Sequence, residues 1–195
     1  MLITISVLRQ ELSKKYKNPD TKISRMIQHG ELYRVKRGIY ETDPHTEPYY
    51  LAGAIYAPSY VSFEYMLAYY GLIPEYVYSI TSATCDKKKK KEYINYFGTY
   101  TYRDIPKIMF PYGFKFERDG RYVSKLATPE KALCDKLYTM RPISSQKLMI
   151  TILVENLRID EEDLRNLSMP DLKFYAEHYP CQSVKVLYPT LRRFL

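Results

Sequence analysis

The stretch "KISRMIQHGELYRVKRGIYETD", residues 22–43, decides how the first part of this chain is read. Ile23 and Ile27, with Met26 beside them, form an apolar stripe at helical spacing, and Lys22, Arg25 and Gln28 fall on the other side with Ser24 at its edge. Gly30 is placed to stop that helix. Two short β-prone runs follow, Glu31–Val35 and Ile39–Glu41, around a Lys36-Arg37-Gly38 tip, and together they predict a hairpin. Upstream, Ile5, Leu8 and Leu12 predict another helix that ends in the run Lys14 to Pro19, after which Asp20 or Thr21 can cap the next one.

Helix, helix, hairpin is the order found in the later part of a winged helix-turn-helix. Within some 46 residues the unit is minimal, with the first helix of that fold short or absent. A recognition helix needs an apolar face for its own core and an outer face that reaches bases and phosphates. Arg25 has the two donors that pair with guanine, and Gln28 the donor and acceptor that match adenine. Lys22 and Ser24 suit phosphates or base edges near the helix start, and Lys36 and Arg37 suit backbone charge or a minor groove. The competing reading is a basic amphipathic helix beside an ordinary surface hairpin.

The formal net charge of +8 favours an anionic partner, and 46% hydrophobic residues supply enough apolar surface for a large core. Charge is unevenly spread. Residues 47–84 contain no Lys or Arg but many tyrosines, whereas both flanking segments are strongly basic. The turn-rich run Thr42 to Pro48 divides the chain into 1–46, a winged helix-turn-helix unit, and 47–195. The second part reads as a mixed α+β domain with a helical C-terminal tail. Helices are expected over 48–56 and 62–70, and strands over 76–83, 93–97, 100–105, 114–116 and 122–126, with a turn at Arg118-Asp119-Gly120. Further helices are expected over 129–139, 144–157, 160–167, 170–178 and 181–193. The fold class is therefore α+β throughout.

Lys87, Lys88, Lys89, Lys90 and Lys91 repel one another and predict a hydrated turn. That turn is either a solvated hairpin tip that protects a sheet edge or a secondary polyanion patch, with Tyr93, Tyr96, Tyr100 and Tyr102 close behind it. Thr128, Pro129 and Glu130 have the chemistry of a helix start. Glu130 and Asp135 could serve as acids, but no metal motif, phosphate loop or partner acid accompanies them.

The chain lacks GxGxxG, P-loop, HExxH and GxSxG patterns, and His29, His45 and His178 are scattered. No catalytic residue, metal site or cofactor is expected. Cys85, Cys134 and Cys181 have neither zinc-ligand spacing nor a disulfide pattern, which fits a reducing cytoplasm. MLITISVL meets Arg9 too early for a signal peptide, and no apolar run has the length to cross a bilayer, so neither export nor a membrane is expected.

Three stretches together resemble the AbiEi family, antitoxins and transcriptional regulators of type IV abortive-infection toxin–antitoxin systems. They are residues 22–43, "YLAGAIYAPSYVSFEYMLAYYGLIPE" at 50–75, and "ATPEKALCDKLY" at 127–138. The resemblance implies a non-enzymatic, cytoplasmic protein acting in phage defence. Its winged helix would bind double-stranded DNA, namely inverted repeats in its own promoter, and repress the operon. Its larger domain would counter a nucleotidyltransferase-like toxin, with or without direct contact. Carried over by position, the DNA-contact residues are Lys22, Ser24, Arg25, Gln28, Lys36 and Arg37; no antitoxic residue is assigned. Two other readings compete: a protein-interaction module without meaningful DNA binding, and an RNA-directed nuclease using Asp and Glu of the second domain.

Overall fold

A computed structural model describes residues 1–194. Its first unit runs β1 (Ile3–Thr4), α1 (Ile5–Ser13), α2 (Pro19–Gln28), β2 (Tyr33–Lys36) and β3 (Ile39–Glu41). The cap of α2 is Asn18 rather than Asp20 or Thr21: its side chain accepts the Thr21 N–H at 3.3 Å. Pro19 takes the first helical position, where its missing N–H has no cost, and this draws the start two residues earlier than the expected cap. Asp20 instead pairs with Arg9 at 2.8 Å, tying α2 to α1.

At the other end Gly30 adopts φ +68°, as expected of a helix stop. Glu31 N–H reaches Met26 O at 2.9 Å and Gly30 N–H reaches Ile27 O at 3.3 Å, the paired bonds of a Schellman motif. The strands form an antiparallel sheet in the order β1-β3-β2. Ile3, Leu8, Ile23, Leu32 and Tyr40 are buried together as a small core of their own.

The larger part carries a six-stranded sheet made of β4 (Tyr60–Val61), β5 (Ser79–Thr84), β6 (Lys91–Asn95), β7 (Gly98–Asp104), β8 (Phe114–Asp119) and β9 (Tyr122–Ala127). Their spatial order is β6-β7-β5-β4-β9-β8. β5 lies parallel to β7 and β4 parallel to β9, and the other neighbours are antiparallel. The helices are α3 (Ala52–Ile55), α4 (Phe63–Tyr69), α5 (Pro129–Thr139), α6 (Gln146–Ile150), α7 (Glu161–Arg165), α8 (Met169–His178) and α9 (Gln182–Phe194). The fold is thus mixed α+β, and the C-terminal part is helical as expected.

Several boundaries differ from the sequence reading. The helix expected over 48–56 is a 3₁₀ turn at Pro48–Tyr50 followed by the four-residue α3. The helix expected over 144–157 is α6 continued by a π-helical segment, Thr151–Asn156. β8 runs through Arg118 and Asp119, so the hairpin tip falls at Gly120-Arg121 rather than 118–120. β4 was not expected at all. It is two residues long, yet it joins the two halves of the sheet.

The run 42–48 is a turn-rich connection, but the hairpin on its N-terminal side is also packed against the large sheet. Val35 of β2 is buried in the large core. Asn95 Nδ2 donates to Val35 O at 2.9 Å, and the Tyr33 and Tyr96 rings are 4.4 Å apart.

Candidate nucleic-acid interface

The outer side of α2 is built by the same spacing that buries its inner side. Ile23 is buried, whereas Ser24, Arg25 and Gln28 are exposed and Lys22 is half-buried. Lys22 faces Glu31 at 3.6 Å. Ser24 Oγ donates to Asp20 O at 3.0 Å, one turn back, which leaves its oxygen free to accept. Arg25 and Gln28, three residues apart, are neighbours on one helical face.

The residues of the hairpin tip divide. Arg37 is exposed at the tip beside Gly38, whose φ of +80° makes the tight turn. Lys36 is half-buried and its Nζ donates to Ile55 O at 2.9 Å, so the ammonium is engaged by the end of α3. The register of β2 against β3 shifts between Arg34 and Lys36, and a bulge of this kind re-aims a side chain. The sequence reading placed Lys36 and Arg37 together on DNA; the structure separates them. It also brings forward Arg34, an exposed residue on β2 whose guanidinium lies 6.0 Å from the Tyr40 ring. Alternation against buried Val35 is the local signal for it, but Leu32, buried in the small core two residues before Arg34, breaks that alternation.

The lysine run is a loop between β5 and β6, with Lys91 already inside the strand. Asp104 organises it. Asp104 Oδ2 accepts the N–H of Lys87 at 2.8 Å and of Lys88 at 2.6 Å, and its Oδ1 accepts Thr84 Oγ1 at 2.6 Å. Lys87 folds back, its Nζ donating to Ala57 O at 3.0 Å and lying 5.1 Å from the Tyr56 ring. Lys88, Lys89, Lys90 and Lys91 are exposed. Of the tyrosines behind the run, Tyr100 and Tyr102 are fully buried and their hydroxyls donate to Pro48 O and Ala52 O, so they offer no stacking surface. Tyr96 is exposed and Tyr93 half-buried.

The motif at 127–138 builds a buried polar centre. Thr128 caps α5, as expected, accepting the Lys131 N–H at 3.3 Å. Lys131 and Asp135 are both wholly buried and paired at 2.5 Å, one turn apart. Asp135 Oδ1 also accepts Tyr179 OH at 2.7 Å, and Oδ2 accepts Tyr60 OH at 2.8 Å and Ser62 Oγ at 2.7 Å. Burial and the neighbouring carboxylate push the Tyr60 and Tyr179 hydroxyls well above the usual tyrosine range. Each carboxylate oxygen thus holds two donors inside the core. Glu130 accepts Ser168 N–H at 2.8 Å, which ties α5 to the start of α8. These acids brace helices and strands rather than face a cavity.

Among the described residues, no group of three His, Cys, Asp or Glu side chains could hold a metal, and no helix is long and apolar enough to cross a membrane. A comparison with protein-family models returned no match, and a comparison with curated protein sequences returned no relative.

Proposed function

We propose that this chain is a DNA-binding regulator and antitoxin of the AbiEi kind. In this reading β1, α1, α2 and the β2–β3 hairpin act as a compact winged helix-turn-helix. Helix α2 enters a major groove of inverted repeats in the chain's own promoter, and the larger domain counters a nucleotidyltransferase-like toxin in the cytoplasm. The observation that carries it is the exposed Ser24–Arg25–Gln28 face of a helix whose opposite side is anchored by buried Ile23, with exposed Arg37 at an adjoining hairpin tip. Arg25 and Gln28 read bases, and Arg37 with Arg34 neutralises phosphates. One such unit makes few phosphate contacts, so tight binding rests on two copies on one repeat.

The test is fluorescence anisotropy of the protein on its upstream DNA and on scrambled DNA across a salt series. Arg25→Ala is expected to cost about 1–3 kcal/mol on the upstream site and to flatten the preference. Arg37→Ala is expected to weaken both DNAs alike and to reduce the salt slope by about 1. Wild-type binding by both variants would refute the assigned face.

The second reading is a protein-interaction module that does not depend on DNA. It is favoured by Lys36, whose ammonium is engaged by Ile55 O at the end of α3, and by Asn95, whose bond to Val35 O docks the hairpin on the large sheet. Co-expression of the toxin with an Arg25→Ala/Arg37→Ala chain separates the two activities. Full growth rescue shows antitoxicity without DNA contact, and loss of rescue links them.

A further inference from the structure

The loop that carries the lysines overhangs a cavity whose chemistry the DNA reading does not use. Two adjoining clefts share Lys90 and Arg103. One, of about 290 Å³, is lined by Lys88, Lys89, Lys90, Arg103, Asp104 and Thr139. It lies at the C-terminal ends of the parallel strands β5 and β7, the end of a parallel sheet where ligands collect. The other, of about 420 Å³, continues along the sheet past Glu64, Val77, Thr81 and Thr101.

The charges of this place do not cancel. The two linings together carry Lys88, Lys89, Lys90, Lys91 and Arg103 against Glu64, Glu92 and Asp104, and Asp104 is turned toward two backbone N–H groups of the loop and Thr84. Glu64 is shared between Arg103 and Lys136, the latter at 2.6 Å. Among the described residues, Lys88, Lys89 and Lys90 have no carboxylate within salt-bridge distance, and all three line the smaller cleft. Arg103 is stacked 4.0 Å from the Phe63 ring and only 18% exposed, both of its Nη atoms donate to Glu64, and its buried Nε has no acceptor among the described residues, so it gives the wall a fixed positive charge rather than a free donor.

We propose that these clefts bind a nucleoside triphosphate, its polyphosphate held by Lys88, Lys89 and Lys90 beside the Arg103 charge and its nucleoside beside Val77, Ser79 and Thr101. Size selects this class. A cavity of a few hundred Å³ has the scale of a small-molecule site. The adjoining wall offers Val77 and the half-buried Ser79 and Thr101, one apolar and two hydroxyl side chains, which suits a base and a ribose. The site is independent of the α2 face, so it stands or falls separately from DNA binding.

The experiment is calorimetric titration of the full chain at physiological salt with GTP and ATP, with inorganic triphosphate, and with guanosine alone. Saturable one-to-one binding of a nucleoside triphosphate is expected. Lys89→Ala/Lys90→Ala, both exposed, should weaken it by roughly tenfold or more. Lys14→Ala/Lys15→Ala removes the same charge from the exposed end of α1 and should change affinity by less than about twofold. No saturable binding at millimolar nucleotide overturns the proposal, as does an equal loss in both double variants, which would reduce the effect to net charge. Inorganic triphosphate binding as tightly as nucleotide removes the nucleoside subsite and overturns the ligand class.

Discussion

Replacing Asp135 by Asn keeps the shape of the side chain and removes its charge. Lys131 is wholly buried and faces the Tyr60, Tyr175 and Tyr179 rings at 5.6, 6.0 and 4.9 Å, so water cannot take over the ammonium. Breaking a buried pair by removing one partner costs about 3–5 kcal/mol, because the remaining charge stays desolvated. The new amide also turns two donors toward either Tyr60 and Ser62 or Lys131 and Tyr179, all of which donate to the carboxylate. A typical total stability is about 5–15 kcal/mol, so the change consumes a large fraction of it. In a urea titration followed by far-UV circular dichroism, with m near 2 kcal/mol/M, the midpoint should fall by about 1.5–2.5 M. Removing the ammonium as well, with Lys131→Met/Asp135→Asn, should cost less than Asp135→Asn alone, since no orphan charge remains and the amide still accepts from the hydroxyls. A midpoint shift below about 0.5 M for Asp135→Asn, with m unchanged, would refute the charged-pair account.

Glu64 tests the acid side. Burial raises its pKa, but the hydrogen bonds and charges of Arg103 and Lys136 outweigh it and hold the group down at about 2, against 4.5 in an exposed chain. A depressed carboxylate stabilises the fold above its unfolded pKa and loses that contribution as pH falls through the folded one. Stability on the order of 3 kcal/mol should therefore vanish between about pH 4.5 and 2, and Glu64→Gln should flatten that part of the stability–pH curve. Gly113 sits at φ +75°, and a Cβ there would meet the Tyr175 hydroxyl and lie 2.9 Å from Lys131 Cβ. Gly113→Ala should lower stability by at least about 2 kcal/mol in the same urea assay. Asn95→Ala removes the side-chain bond to Val35 O, and backbone exchange at β2 should accelerate while the α5 core stays protected. Unchanged exchange would mean that the aromatic contacts alone hold the hairpin.

The elements of this protein were legible wherever local chemistry is sufficient. Thr128-Pro129-Glu130 names a helix start without help from elsewhere, and α5 spans the expected residues. Ile23 and Ile27 at helical spacing name the inner face of α2, and with it the outward side of Arg25 and Gln28. Gly30 and Gly38 mark a stop and a turn because both positions have positive φ. The reading failed where a segment is too short to have a period. β1 and β4 have two residues each, and their hydrogen bonds come from strands far away in sequence.

The candidate site divides in the same way. The sequence alone determined that residues 22–43 form a helix and a hairpin with basic outer positions, because amphipathic spacing and turn residues are local properties. Tertiary structure decided what each cation does. A bulge in β2 sends Lys36 to Ile55 O and leaves Arg37 exposed. Asp104, at the end of β7, gathers the loop N–H groups and leaves three lysines above Arg103. The motif at 127–138 carries Lys131 and Asp135 at helical spacing, but the hydroxyls that satisfy them come from Tyr60, Ser62 and Tyr179, and Ser62 lies 73 residues from Asp135. A charge is assigned by whichever partner reaches it in space, and partners this distant leave no trace in the local pattern of residues.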